Sequence, residues 1–314
     1  MDTAVEVPAE RSFAPYAALI GVQIFFGSLP VIGKVVLKVV PAFGLVGFRV
    51  GITALAFVIV QAARGRFWLR QKGDYWRLAV LSLFGVTFNQ LLFISGLSLT
   101  KASNTSLLAA TIPIFTLTVS SLLGIEILRG IKVAGIIVAC VGVLLLIDPR
   151  NASFSSQTTL GDMLIVANSL SYGIYVATSK SVITRNGAFR SMMWVFVFAA
   201  AICVPVGIWS MNSVDLNTVS PGIWALILYI AIGATAAPYL LNAWALARVT
   251  PSTVAVYIYL QPLIGFLLAV IFLGESIDVK FVVAATLVFL GVFLATWRRR
   301  MTVKPFVVDE RISR

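Results

Sequence analysis

The chain has 314 residues, of which 60% are hydrophobic and 11% charged, with a net charge of +12 and no histidine. Soluble domains carry about 45–50% apolar and about 25% charged residues, so a water-soluble globular enzyme and a disordered chain are both excluded. The missing histidine removes His-based catalysis and His–metal sites, and Cys140 and Cys203, both inside apolar runs, support neither a disulfide framework nor a zinc site.

A membrane helix needs about 20 mainly apolar residues to cross about 30 Å of hydrocarbon. In chain order, residues 1–14 read as a polar, acidic tail without the apolar core of a signal peptide. Five spans follow at 15–37, 41–62, 76–98, 103–123 and 131–148. A polar external loop at 149–159 leads to five more at 160–182, 190–210, 221–246, 252–273 and 279–297. Pro15, Pro41, Pro221 and Pro251 stand at helix starts, where proline belongs. The tail 298–314 opens with Arg298, Arg299 and Arg300. The expected fold class is therefore an all-α polytopic membrane protein with ten transmembrane helices.

With ten spans, both termini and the even-numbered loops share one side. That side holds Arg64, Arg66, Arg70, Lys72, Arg77, Arg129, Lys132, Arg185, Arg190, Arg248 and the basic tail. The other side holds Lys34, Lys38, Lys101, Arg150 and Lys280. This is the positive-inside pattern, and it predicts a multi-pass inner-membrane protein with both termini in the cytoplasm. The positive charge is read as an orientation signal at the anionic leaflet, with no nucleic-acid partner.

The two sets of five spans show an internal repeat. An offset of 149 residues places Pro113 on Pro262, Ser103 on Ser252, Glu126 on Glu275 and Gly142 on Gly291. An offset of 146 places Gly27 on Gly173 and Lys34 on Lys180. Because five is odd, the halves must have opposite topology, a recurrent design of secondary transporters with the substrate site near the midplane.

On these residues the chain resembles the EamA type of the drug/metabolite transporter superfamily. The resemblance rests on the two halves, the Gly27-to-Lys34 stretch, Pro41 to Arg49, Ala102 to Glu126 with Pro113, and Pro251 to Glu275. Within the superfamily the chain is most similar to the YddG-type aromatic amino-acid exporters. The resemblance implies a basket of ten helices, with spans 1, 3, 4, 6, 8 and 9 around a central cavity and spans 5 and 10 behind.

Polar residues inside spans are costly in hydrocarbon and tend to face protein or water. They concentrate in those same six spans. The expected cavity residues are Gln23, Asn89, Thr111, Asn168, Tyr172, Tyr239, Asn242, Trp244, Tyr257 and Gln261. Any one of them taken alone is as readily interhelical glue. Tyr172 and Asn168 are four apart and share a helix face, and Tyr239 and Asn242 are three apart. Pro113, Pro238 and Pro262 interrupt their spans and are the expected kinks or gating points, each leaving a carbonyl without its usual donor. Arg49 lies between Gly47 and Gly51. It is read first as a tether to backbone carbonyls, with a ligand for a substrate carboxylate or a snorkelling cation as the other readings.

Amides and hydroxyls suit a zwitterion, and tyrosine or tryptophan rings suit an aromatic side chain. No Asp or Glu falls in the middle of a span, so movement without proton coupling is expected. The expectation is an exporter of amino acids, aromatic ones first, working by alternating access. Its partners are the small-molecule substrate and the bilayer, a monomer suffices, and no cofactor or metal is needed. Export of other metabolites or drugs is the alternative, and a membrane-embedded enzyme is a remote one.

Overall fold

A computed structural model describes residues 13–100, 105, 108–127, 129–147, 156–212, 214, 216, 219–264 and 279–296. Residues 1–12, Lys101, Ser103, Asn104, most of the 149–159 loop, Glu275 and the 298–314 tail lie outside them. All regular structure among the described residues is helical. The helices are α1 (Ala14–Val36), α2 (Ala42–Ala63), α3 (Gly73–Leu99), α4 (Ile112–Leu122), α5 (Gly130–Ile147), α6 (Ser156–Asn186), α7 (Ala188–Met211), α8 (Pro221–Leu246), α9 (Pro251–Val256, running on through a 3-10 turn at Tyr257–Tyr259) and α10 (Val279–Thr296). Six of them, α1, α2, α3, α6, α7 and α8, are long and apolar enough to cross a membrane.

Proline punctuates the helix starts. Pro15, Pro221 and Pro251 sit in first turns, where the missing N–H is not needed, and Pro41 precedes α2 in an extended conformation. Helix α6 is longer than its apolar run. It begins at Ser156, inside the stretch expected to be loop, and ends at Asn186. The surface inverts that of a soluble protein: Leu55, Ile59, Ile137, Phe289 and Phe293 are exposed, while Gln23, Arg49, Gln90, Asn168 and Asn242 are buried. An apolar exterior around a polar interior is what hydrocarbon selects.

Small residues bring the helices together. Helix α2 packs on α7, α3 on α6, α1 on α8, and α5 on α10. A Cβ on Gly47 would lie 2.8 Å from the Gly207 Cα, so α2 and α7 meet backbone to backbone. In the α5–α10 pair, a Cβ on Gly291 would lie 2.4 Å from the Ala139 N and 2.5 Å from the Gly135 O. Without a hydrophobic drive between helices in lipid, such close approach supplies the packing energy.

The repeat is visible in local backbone. Helix α3 contains a π-helical turn at Leu83–Thr87, and α8 contains one at Ile232–Ala236, 149 residues on. The Lys34 ammonium donates to the Thr100 carbonyl at 2.9 Å, and Lys180 donates to the Val249 carbonyl at 2.6 Å. Donors and acceptors both obey the offsets read from sequence. Each lysine ties the end of its own helix to the end of the helix two further along, neutralising C-terminal carbonyls.

Those ties also give the relative direction of the halves. Thr100, beside Lys34, hydrogen-bonds Asp162 at the start of α6 at 2.6 Å. Lys180 lies about 27 Å further along α6, at about 1.5 Å per residue. So α1 ends where its counterpart α6 begins, and the two run in opposite senses.

Candidate functional site

A central cavity of about 80 Å³ lies between the halves. Its walls come from α1, α3, α6, α8 and α9, from the residues around the start of α4, and from one residue of α2. Helices α5 and α10 contribute nothing to it among the described residues.

The π-turns shape its centre. A π-turn spreads the i→i−4 ladder and leaves carbonyls for partners outside the helix. In α8, the Ala234 carbonyl would ordinarily accept from residue 238, which is proline and has no N–H. Arg49 of α2 reaches across to it, its Nη2 donating at 3.3 Å while its Nε donates to the Thr235 hydroxyl. One turn along α2, the Thr53 hydroxyl donates to the Ala231 carbonyl at 2.8 Å. At the matching point of α3, the Gly85 carbonyl accepts from the Tyr239 hydroxyl at 3.0 Å.

The amides and hydroxyls of the wall pair across helices. Gln261 donates to the Gln23 Oε1 at 2.8 Å, joining α9 to α1. Asn168 donates to the Asn89 carbonyl at 2.8 Å, and Asn242 donates to the Tyr172 hydroxyl at 2.9 Å. Gln90 donates to Tyr239 at 3.0 Å. The Tyr239 hydroxyl has one proton and two acceptors in reach, the Gly85 carbonyl and the Asn89 Oδ1 at 2.9 Å. Each of these amides uses one end on a neighbour, which makes it both interhelical glue and cavity lining. Phe26 meets the Tyr239 ring edge-to-face at 5.8 Å between centroids, and Tyr172 meets it at 6.4 Å.

Gln23, Asn89, Asn168, Tyr172, Tyr239, Asn242 and Gln261 are thus brought together around one space. Three other residues expected there are placed elsewhere. Thr111 turns its hydroxyl back onto the Leu108 carbonyl at 2.6 Å, where the chain breaks before α4. Trp244 faces a separate groove with Arg64, Arg66 and Arg190, and carries the Arg248 guanidinium over its ring at 4.0 Å. Tyr257 is buried against the Tyr16 ring, 6.3 Å away, beside the cavity wall made by Val254 and Ile258. The 3-10 turn at Tyr257–Tyr259 rotates this tyrosine relative to an α-helical register.

The three prolines all mark backbone breaks. Pro113 lies in the first turn of α4 after a turn at 110–111, Pro238 opens the α-helical part of α8 after its π-turn, and Pro262 follows the 3-10 turn. One wall residue, Arg49, reads from the sequence first as a tether and only second as a ligand for a substrate carboxylate. It is buried and lines the cavity, and its Nη1 has no hydrogen-bond partner. Desolvating a lone charge costs several kcal/mol, so this is the most expensive group in the wall. Its position between two glycines was the available signal, since glycines draw a neighbouring helix close and bury whatever lies between them.

A family model described as the EamA-like transporter family matches residues 14–148 and, separately, residues 159–297. The chain belongs to the EamA-like transporter family. Its two halves are two copies of the EamA unit, and the protein is a multi-pass membrane transporter. An uncharacterized transporter of Archaeoglobus fulgidus is 28% identical over 238 residues, 73% of this chain and 81% of that one. The uncharacterized transporter YyaM of Bacillus subtilis is 23% identical over 287 residues, 90% of this chain and 93% of its own. The WAT1-related protein At4g30420 of Arabidopsis thaliana is 28% identical over 247 residues, 69% of this chain and 66% of its own. One solved structure superposes with a TM-score of 0.73 over 90% of this chain and 96% of its own, at 22% identity. At that identity the likeness speaks for the fold alone.

Proposed function

We propose that this EamA transporter exports amino acids, aromatic ones first, from the cytoplasm across the inner membrane. The observation that carries the reading is the chemistry of the cavity wall. Neutral amides and hydroxyls from five helices meet the rings of Phe26, Phe93, Tyr172 and Tyr239, and no carboxylate lines the space among the described residues. Amide oxygens of Asn168, Asn242 and Gln261 are acceptors for an ammonium group. The rings offer edge-to-face partners worth about 0.5–1.5 kcal/mol each.

All ten helices cross the bilayer in this reading, including the shorter α4, α5, α9 and α10, with both termini cytoplasmic by the distribution of arginine and lysine. The oppositely directed halves rock about the cavity and expose it to each side in turn. Pro113, Pro238 and Pro262 mark the breaks where the walls bend. With neither histidine nor a described carboxylate in the wall, the substrate gradient drives movement without a proton. A monomer contains the whole site. Export of hydrophobic cations is the weaker reading, because a buried arginine repels them.

The deciding experiment is counterflow in proteoliposomes. Phenylalanine, tryptophan and tyrosine exchange, Asn242→Ala slows the exchange, and an imposed pH gradient drives no uphill uptake. Flux of an unrelated solute class with aromatic amino acids inert removes the substrate assignment.

A further inference from the structure

We infer that Arg49 is the carboxylate-recognition residue of the cavity, so that the transporter selects solutes carrying a carboxylate and rejects the corresponding amines. The inference deepens the proposed function and rests on its reading of the cavity as the substrate site. Arg49 is 2% exposed and remains charged, because a guanidinium does not deprotonate in proteins. Its side chain lines the cavity, and no other charged side chain does among the described residues.

The guanidinium is held on one side only. Nε and Nη2 are spent on the Thr235 hydroxyl and the Ala234 carbonyl of the α8 π-turn, and both partners are neutral. Nη1 is buried without any partner. The bonds to Thr235 and Ala234 hold the guanidinium in the wall, so the charge does not snorkel out along the helix. A group used purely as a tether would need only the polar head of a Gln or the ammonium of a Lys. A fork held by two of its nitrogens, with the third unpaired, on a residue that lines a cavity is a preorganised receptor for a planar anion. A carboxylate placed there gives the guanidinium its missing counter-charge. The ammonium of an amino acid is then directed to the amide oxygens opposite.

The test uses the full-length protein in liposomes and three probes that share one side chain: phenylalanine, 3-phenylpropanoate, which lacks the ammonium, and phenethylamine, which lacks the carboxylate. Wild-type counterflow is expected with the first two and at least tenfold weaker with the third. Arg49→Gln is expected to raise the half-saturating phenylalanine concentration at least tenfold and to abolish the preference for carboxylate over amine, with Arg49→Lys intermediate. Equal handling of phenethylamine and phenylalanine by the wild type overturns the inference, and so does an unchanged half-saturation in folded Arg49→Gln. If Arg49→Gln does not fold, the wild-type probe series decides alone. If aromatic probes are inert, leucine, 4-methylpentanoate and isopentylamine replace them. An Arg49-dependent carboxylate preference in that series upholds this inference while the aromatic reading falls.

Discussion

Gln90 donates its amide hydrogen to the Tyr239 hydroxyl at 3.0 Å, and the two residues are 149 apart, the same offset that superposes the two π-turns. They are one position of the repeat seen twice. Residues related by a pseudo-two-fold axis can touch each other only where they lie next to that axis. The Gln90–Tyr239 bond therefore marks the axis, and it lies in the cavity wall. The divergence of the pair to Gln and Tyr also breaks the symmetry there, as a site for an asymmetric solute requires.

Tyr239→Phe removes the hydroxyl and keeps the ring contacts to Phe26, Tyr172 and Phe196. The Gly85 carbonyl loses its donor, at about 1–3 kcal/mol for a buried unsatisfied group. A lower melting temperature of the detergent-solubilised protein, with slower counterflow, is expected. An unchanged melting curve would show that the hydroxyl contributes nothing net.

The two lysine ties sit at opposite ends of α6, so removing them should have opposite effects. Lys34→Met frees α1 from the Thr100 carbonyl, and Lys180→Met frees α6 from the Val249 carbonyl. In the proposed orientation, Lys34→Met favours opening to the outside and Lys180→Met opening to the cytoplasm. A cysteine introduced at cavity position Ala109 reads this out by its labelling from each side. Labelling that shifts the same way in both variants would contradict the inverted arrangement.

Gly291→Leu forces a side chain into the backbone of α5, where even a Cβ would lie 2.4 Å from the Ala139 N. Overpacking of this kind costs about 1–3 kcal/mol or more. Loss of melting temperature and of membrane-inserted yield is expected. The cavity chemistry should be untouched in whatever protein folds, so half-saturation measured on the folded fraction stays at the wild-type value.

Glu126 accepts from the Ser252 backbone N–H at 2.9 Å, the Ser252 hydroxyl at 2.6 Å and the Lys132 ammonium at 2.6 Å. It caps the positive end of α9 from the far side of α4. Glu126→Ala strands these donors, and a loss of about 2–3 kcal/mol is expected from hydrogen bonds to a charged group. Glu126→Gln keeps an acceptor for Ser252 and should lose less. Chemical denaturation in detergent ranks the two variants, and equal losses would argue against a capping role.

Much of the fold was legible because hydrocarbon imposes a one-dimensional rule. Long apolar runs become helices, and the prolines at 15, 41, 221 and 251 mark their starts, whatever the helices pack against. Helix α6 departed from that rule at its ends. Its first residues, Ser156 onward, are polar yet helical, because backbone hydrogen bonding continues a helix past the point where hydropathy stops. Polarity inside spans pointed to Gln23, Asn168 and Asn242 because polar groups in lipid must turn inward. It does not say which inner space a residue faces, and Thr111, Trp244 and Tyr257 turn to other surroundings.

The sequence by itself determined the helical class, the internal repeat with its offsets of 149 and 146, and a short set of inward-turning polar residues. Each follows from local composition measured against a bilayer. Only the tertiary structure decided that the π-turn of α3 accepts from Tyr239 just past the π-turn of α8, that Gln90 meets its own counterpart Tyr239, and that Arg49 stands in the wall with one nitrogen unpaired. These depend on the rotation of each helix about its axis, which close glycine contacts such as Gly47 with Gly207 set in three dimensions. An apolar run carries too weak a periodicity to reveal that rotation when both lipid and protein neighbours are apolar.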